Sequence, residues 1–364
     1  MILPPTEVAA QIYDVTLRDG NHALRHQLTA TLVRDYCILA SKSAVDYVEV
    51  GHGNGLGASS VLVGMSLETD ETLLTAAREH LVGKQLAVHC IPGFATVHGD
   101  LMPAVALGVD AFRIASHVTE ADTTAKHIEY VRSVGREAIG VLMMSHMADL
   151  KQLILECRKL EAYGATTVVL MDSAGYFTPA DVSLRINAIK QETTVALGFH
   201  AHNNLGVGVA NALAARGAGA TVLDGAAMAL GAGAGNAQLE CLVAVLSRED
   251  QLDYGGLSGY LALSELVQEY VPDSLPRTNS NSILSAMAGV FSGYAPQVQA
   301  ASEEFGIAPV AIWQELGARS VVAGQESIIR EVAMNISHPP TEMCNYFRNG
   351  LLMVRTEWST RDEC

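Results

Sequence analysis

The chain has 364 residues, 49% of them hydrophobic but only 5% aromatic, and a formal net charge of −16. Such a chain folds around a core of Ala, Val, Leu and Ile and is not disordered, and its acidity makes nucleic acid and anionic membranes poor partners. The six cysteines, at 37, 90, 157, 241, 344 and 364, form no CxxC pair, no basic-then-apolar leader opens the chain, and no apolar run reaches ~18 residues. A cytoplasmic protein with reduced thiols and no membrane span is the expectation.

In chain order, β-rich runs fall at 11–16, 45–51, 86–90, 111–115, 139–143, 167–171, 195–199 and 221–223. Helical patterns lie between them at 29–43, 69–81, 125–134, 150–163, 179–191 and 206–216. Eight strand–helix units predict an α/β chain folded as a (β/α)8 TIM barrel with parallel strands and right-handed crossovers. After Leu246 the pattern changes. A helix is predicted over 257–270, and then only helical signals follow, at 283–293, 296–305, 309–317 and 325–335. This divides the chain into a barrel at 1–275, a helical domain at 276–338 and a tail at 339–364 that opens on Pro339-Pro340.

Chemistry-bearing residues gather at the carboxyl ends of the predicted strands, the face on which such barrels place their sites. Asp19 follows the first strand, Glu49 and His52 end the second, Asp172-Ser173 ends the sixth, and His200-Ala201-His202 ends the seventh. In a strand, residues i and i+2 share a side, so His200 and His202 face one cavity. With Asp19 they form a mixed N/O set suited to a divalent metal with positions left open for substrate. A metal of that kind chelates a 2-oxo acid and acidifies its C3 protons. Arg18 keeps its charge and suits an enolate oxygen, or else a salt bridge. His22 is either a general base or the donor of an orienting hydrogen bond. Two histidines and a carboxylate also describe a non-haem iron oxygenase, but β/α alternation argues against that reading. The run Gly231-Ala232-Gly233-Ala234-Gly235-Asn236 lacks a Lys-Ser/Thr pair and reads as a tight loop, not a phosphate cradle, with Asn236 in reach of the metal or its waters.

The stretch Asp14-Val15-Thr16-Leu17-Arg18-Asp19-Gly20-Asn21-His22-Ala23-Leu24-Arg25-His26-Gln27 resembles the signature of the 4-hydroxy-2-oxovalerate aldolases, pyruvate-specific class II aldolases of aromatic-compound degradation. The resemblance continues through Gly51-His52-Gly53, Gly55-Leu56-Gly57, residues 200–211, Ala234-Gly235-Asn236-Ala237 and residues 313–329. It implies Asp19, His200 and His202 as ligands of Mn²⁺, with Mg²⁺, Co²⁺ or Zn²⁺ as rivals. It also implies Arg18 as enolate stabiliser, His22 as base, and Ser173 on the pyruvate carboxylate. The implied partners are small 2-oxo acid and aldehyde substrates and an acylating aldehyde dehydrogenase; a homo-oligomer is compatible with the same reading.

Three positions depart from the family pattern. Phe291 stands where these aldolases carry a tyrosine in the site, which leaves Tyr294, three residues on along an expected helix, as the candidate replacement. His89 is a polar residue where leucines shape the aldehyde pocket, and Asn54 replaces an acidic residue. The acceptor side is therefore expected to differ while the metal and enolate machinery is kept. Two alternatives follow from the same departures: a biosynthetic carboligase using a pyruvate-type enolate, and a catalytically weakened homologue kept as a dehydrogenase-binding protein.

Overall fold

The computed structural model describes residues 9–337 apart from positions 251, 253, 272, 274 and 323, so the tail expected at 339–364 lies outside the described residues. Eight strands close into a parallel barrel in chain order: β1 Gln11–Asp14, β2 Tyr47–Glu49, β3 Gln85–Cys90, β4 Ala111–His117, β5 Glu137–Met143, β6 Thr167–Asp172, β7 Ala196–Ala201 and β8 Val222–Gly225. β8 returns to β1 with Gln11 paired to Val222 and Asp14 to Gly225, which closes the ring. Strands covered on both faces read as apolar runs, and the alternation in Ala-Leu-Gly-Phe-His-Ala shows the second layer: Phe199 and Ala201 pack outward under the helices, while His200 points inward.

Local signals set the helix boundaries. Thr29, Thr69 and Asp149 each accept a hydrogen bond from the backbone three residues on, and Thr178 forms a reciprocal capping box with Asp181 behind Pro179. At the other ends, Gly164 and Gly219 take left-handed backbone and turn the chain directly into β6 and β8.

Beyond the barrel, helices Ser280–Ala288, Ala295–Phe305, Pro309–Ala318 and Ser327–Ser337 surround a separate core of Val298, Ile312, Trp313, Leu316 and Val332. This helical domain docks on the barrel's strand-end face. Asn204 Nδ2 donates to Ser285 Oγ (3.2 Å), His146 Nε2 to the Gly289 carbonyl (3.0 Å) and Thr278 Oγ1 to the Asn203 carbonyl (3.2 Å). The expected helix at 283–293 is corrected here: it stops at Ala288, because Gly289 caps it in left-handed conformation (φ 65°). Phe291 and Tyr294 therefore do not share a helix face: Phe291 precedes a short 3₁₀ turn, Ser292–Tyr294, which Tyr294 ends. No helix among the described residues is long and apolar enough to cross a membrane.

Candidate metal centre and active site

A cavity of about 1250 Å³ opens between the strand ends and the helical domain. It is lined by Arg18, Asp19, His22, His89, Ser173 and His202 from the barrel, and by Phe291 and Tyr294 from beyond it. At its floor, one donor atom each from Asp19, His200 and His202 lies within 4.8 Å of the others, and all three residues are buried. His200 Nε2 faces His202 Nε2 at 3.4 Å and Asp19 Oδ2 at 3.9 Å.

Two of the three ligand candidates are held by neighbours. His200 Nδ1 donates to Asp224 Oδ2 on β8 (2.7 Å), which fixes the tautomer and leaves Nε2 as a lone-pair donor. Asp19 Oδ1 accepts from the Ala232 backbone (3.2 Å) and from Asn236 Nδ2 (3.1 Å), while Oδ2 pairs with Arg18 Nη1 (2.6 Å). Asn236 thus serves by aiming Asp19, and its own Oδ1 has no hydrogen-bond partner. Burial opposes ionisation of Asp19, but Arg18, His202 and His200 outweigh it and hold the carboxyl well below the usual range. Burial pushes the His202 imidazolium pKa down to about 4, so the ring stays neutral, and its Nδ1 has no partner. One oxygen and two imidazole nitrogens, buried and turned on each other, fit a divalent ion with open positions.

Arg18 is clamped on three sides. Nε donates to Glu49 Oε2 (2.6 Å), and Nη1 to Asp19 and to the Gly53 carbonyl (3.2 Å). Its Nη2 is buried without a partner, a costly arrangement that an incoming oxyanion would relieve. His22 sits on the one-turn helix Gly20–Ala23 that follows Asp19. A Cβ on Gly53 would fall 2.6 Å from its imidazole, so only glycine there leaves the ring its place. Burial lowers the His22 pKa and favours the neutral base. Ser173 Oγ accepts from the Met144 backbone (3.0 Å), which leaves its hydroxyl hydrogen free to donate.

On the acceptor side, Phe291 presents its ring edge-on to His22, with centroids 6.1 Å apart. Tyr294 lines the same cavity, but its hydroxyl donates to the Val322 carbonyl (2.5 Å) and accepts from the Gln325 backbone. That hydroxyl belongs to the helical domain's own packing and is not aimed at His22. His89 is buried on β3; burial, then Arg18 and Arg113, push its pKa well down, and its Nδ1 has no hydrogen-bond partner.

Two further residues complete the site and escaped the sequence reading. Arg113 on β4 pairs with Asp224 (2.7 Å), lies 3.8 Å from Glu49, and sits over the Tyr13 ring. Asp224 in turn orients His200. The available signal was one charged residue inside the apolar run 111–115 and one just past the run 221–223.

Comparison with known proteins agrees with this geometry. Residues 9–268 match the HMGL-like family and residues 276–338 the DmpG-like communication domain. The chain is 50% identical to a 4-hydroxy-2-oxovalerate aldolase of Spirochaeta aurantia, covering 90% of this chain and 96% of that one. It is also 50% identical to the enzyme of that name from Pectobacterium atrosepticum, covering 89% and 94%. Among solved structures, the N-terminal domain of a putative aldolase from Bacteroides vulgatus superposes with a TM-score of 0.70 at 24% identity, over 81% of this chain and 98% of that one. The carboxyl transferase domain of Rhizobium etli pyruvate carboxylase with pyruvate and biocytin gives 0.74 at 19% identity, over 92% and 61%. These two show the barrel fold alone. With a candidate metal-ligand set at the floor of the barrel and relatives matched at half identity over nearly their whole length, the chain belongs to the 4-hydroxy-2-oxovalerate aldolases, metal-dependent carbon–carbon lyases.

Proposed function

We propose that the chain joins and cleaves 4-hydroxy-2-oxo acids through a pyruvate enolate, with Asp19, His200 and His202 holding one divalent ion, Mn²⁺ before Mg²⁺, Co²⁺ or Zn²⁺. The observation that carries this reading is the unpartnered Arg18 Nη2 in the same cavity as the three converging donors. When bound, the ion supplies Lewis acidity to the 2-oxo group. Arg18 then offers a fixed, permanently charged donor where negative charge develops on the enolate oxygen. His22 takes the proton from the 4-hydroxyl as the C3–C4 bond breaks, the aldehyde departs, and protonated His22 returns that proton to C3 of the enolate to give pyruvate. Ser173 donates its free hydroxyl hydrogen to the pyruvate carboxylate.

The acceptor end is where this chain differs from its resemblance. Phe291 puts a ring without a hydroxyl beside His22, and the Tyr294 hydroxyl is already engaged. His89 offers a neutral imidazole to the cavity instead. The acceptor is accordingly an aldehyde other than acetaldehyde, one with a polar group for His89. The helical domain at 276–338 is the proposed docking element for an acylating aldehyde dehydrogenase that consumes the aldehyde.

The test is exchange of the pyruvate C3 protons into deuterated buffer. Chelated protein should lose exchange and regain it with Mn²⁺, and His200→Ala should abolish both exchange and metal retention. Full exchange in exhaustively chelated protein would refute the reading.

A further inference from the structure

Two histidines beside the site take no part in the chemistry above. His26 and His52 stack face to face, with centroids 3.7 Å apart and planes 11° from parallel. The His52 ring uses both of its nitrogens. His52 Nδ1 accepts from the Asn54 backbone (3.0 Å), so Nε2 carries the hydrogen, which it donates to the Gly64 carbonyl (3.1 Å). His26 Nδ1 accepts from the Gly53 backbone (3.4 Å). Burial pushes the pKa of His26 down to about 3 and that of His52 to about 4, so both rings are neutral near pH 7.

The pair joins two structures of different purpose. On one side is Gly53, whose carbonyl receives Arg18 and whose bare Cα makes room for His22. On the other is a small hairpin at the cavity rim, closed by an antiparallel bridge between Ser60 and Gly64 with a 3.0 Å hydrogen bond. More bonds fasten the hairpin to the same histidine segment: Leu67 N to the His26 carbonyl (3.0 Å) and Gln27 Nε2 to the Met65 carbonyl (3.1 Å). The fit is close. Gly64 has φ 108°, and a Cβ there would lie 2.3 Å from the His26 ring. His26 itself sits in left-handed backbone (φ 61°) next to Arg25 (φ 51°), an unfavourable conformation that its bonds hold in place. The hairpin tip, Val61 at 94% and Leu62 at 59% exposure, is apolar and faces the cavity mouth.

Building on the aldolase reading, we propose that His26 and His52 are positioning residues for aldehyde capture. The stacked pair holds the apolar rim hairpin at the cavity mouth and ties it to the platform that carries Arg18 and His22. A small aldehyde bound behind that rim meets the enolate before it escapes to water. Enolate formation needs the platform but not the rim, so the two should separate experimentally.

The discriminating pair is His52→Asn and His52→Gln in the full chain with Mn²⁺. Asparagine keeps an acceptor near Nδ1 for Asn54 but does not reach Gly64, whereas glutamine reaches Gly64. His52→Asn should raise KM for the aldehyde about tenfold, the effect of one lost buried hydrogen bond, while pyruvate C3 exchange falls less than threefold. His52→Gln should restore KM to within threefold of the unmodified chain. If His52→Asn does not fold, Gly64→Ala forces the same separation and should give the same split. Equal loss of exchange and capture, or no change in either, overturns the rim role. A failure of C3 exchange in the unmodified chain instead sinks the aldolase reading on which it rests.

Discussion

Asp224→Asn removes a charge two bonds of influence away from the proposed metal and leaves its shape intact. Asp224 Oδ2 is shared between His200 Nδ1 and Arg113 Nη1, both at 2.7 Å, in a fully enclosed position. Burial opposes its ionisation, but Arg113 and His200 outweigh that and hold its pKa down, so the carboxylate is the resident form. The asparagine carbonyl can still accept from His200 Nδ1 but no longer places a negative charge behind the ring. Loss of such an orienting carboxylate typically costs about 10–100-fold in metal affinity, or about 1.4–2.8 kcal/mol. Stability should fall as well. Removing one partner of a buried pair costs roughly 3–5 kcal/mol, and the low end applies because Arg113 keeps Glu49 at 3.8 Å. Titration of chelated protein with Mn²⁺, following the free ion by its paramagnetic resonance signal, gives the affinity, and a urea melt of the same sample gives the stability. A folded Asp224→Asn protein that binds Mn²⁺ within twofold of the unmodified chain would refute the argument that this carboxylate aims His200.

His22→Ala should lower pyruvate C3 exchange by about 10²–10⁴, the usual contribution of a general base, with bound metal unchanged; because burial lowers the His22 pKa, the acid limb of the exchange profile should lie below pH 6.5. Phe291→Tyr should speed cleavage of 4-hydroxy-2-oxopentanoate and His89→Leu should favour small apolar aldehydes, both read as kcat/KM; rapid cleavage by the unmodified chain, indifferent to both changes, would contradict the proposed acceptor side. Asp14 is buried, and its pKa is raised from 3.8 to about 6 by burial, against hydrogen bonds from Thr16 and Tyr36. The folded chain therefore holds this proton more tightly than the unfolded one. Its contribution is full below pH 3.8 and is lost as pH rises through 6, by at most about 3 kcal/mol, and Asp14→Asn should abolish that dependence in urea melts between pH 4 and 7.

The barrel was legible because its signals are local and repeated. Short apolar runs bounded by Gly108, Gly164 and Gly219 announce strands, and Thr-Pro-Ala-Asp at 178–181 announces a helix start. The His200/His202 pair was legible because a two-residue period fixes a shared side. What stayed hidden depends on partners distant in sequence. Nothing near Arg113 says that Asp224, more than a hundred residues later, balances it across the barrel. Asp224 in turn looks like a surface residue at a strand end until the ring closes and turns it inward. The helix end at Ala288 was readable from Gly289 alone, and running the helix through it made Tyr294 look like a substitute for the hydroxyl missing at Phe291. The turn after Gly289 instead commits Tyr294 to Val322.

The buried ion pairs around the cavity floor also say something about the order of events. Arg18 and Arg113 stand against Asp19, Glu49 and Asp224, two positive groups facing three negative ones in a water-poor interior. An anionic 2-oxo acid arriving first would add a fourth negative group where charge is poorly screened. A divalent cation held by Asp19, His200 and His202 would turn the excess from one negative to one positive, and a single carboxylate would then bring it to neutrality. On the proposed reading, the charge balance at the barrel floor therefore makes an electrostatic turnstile that favours the cation before the acid.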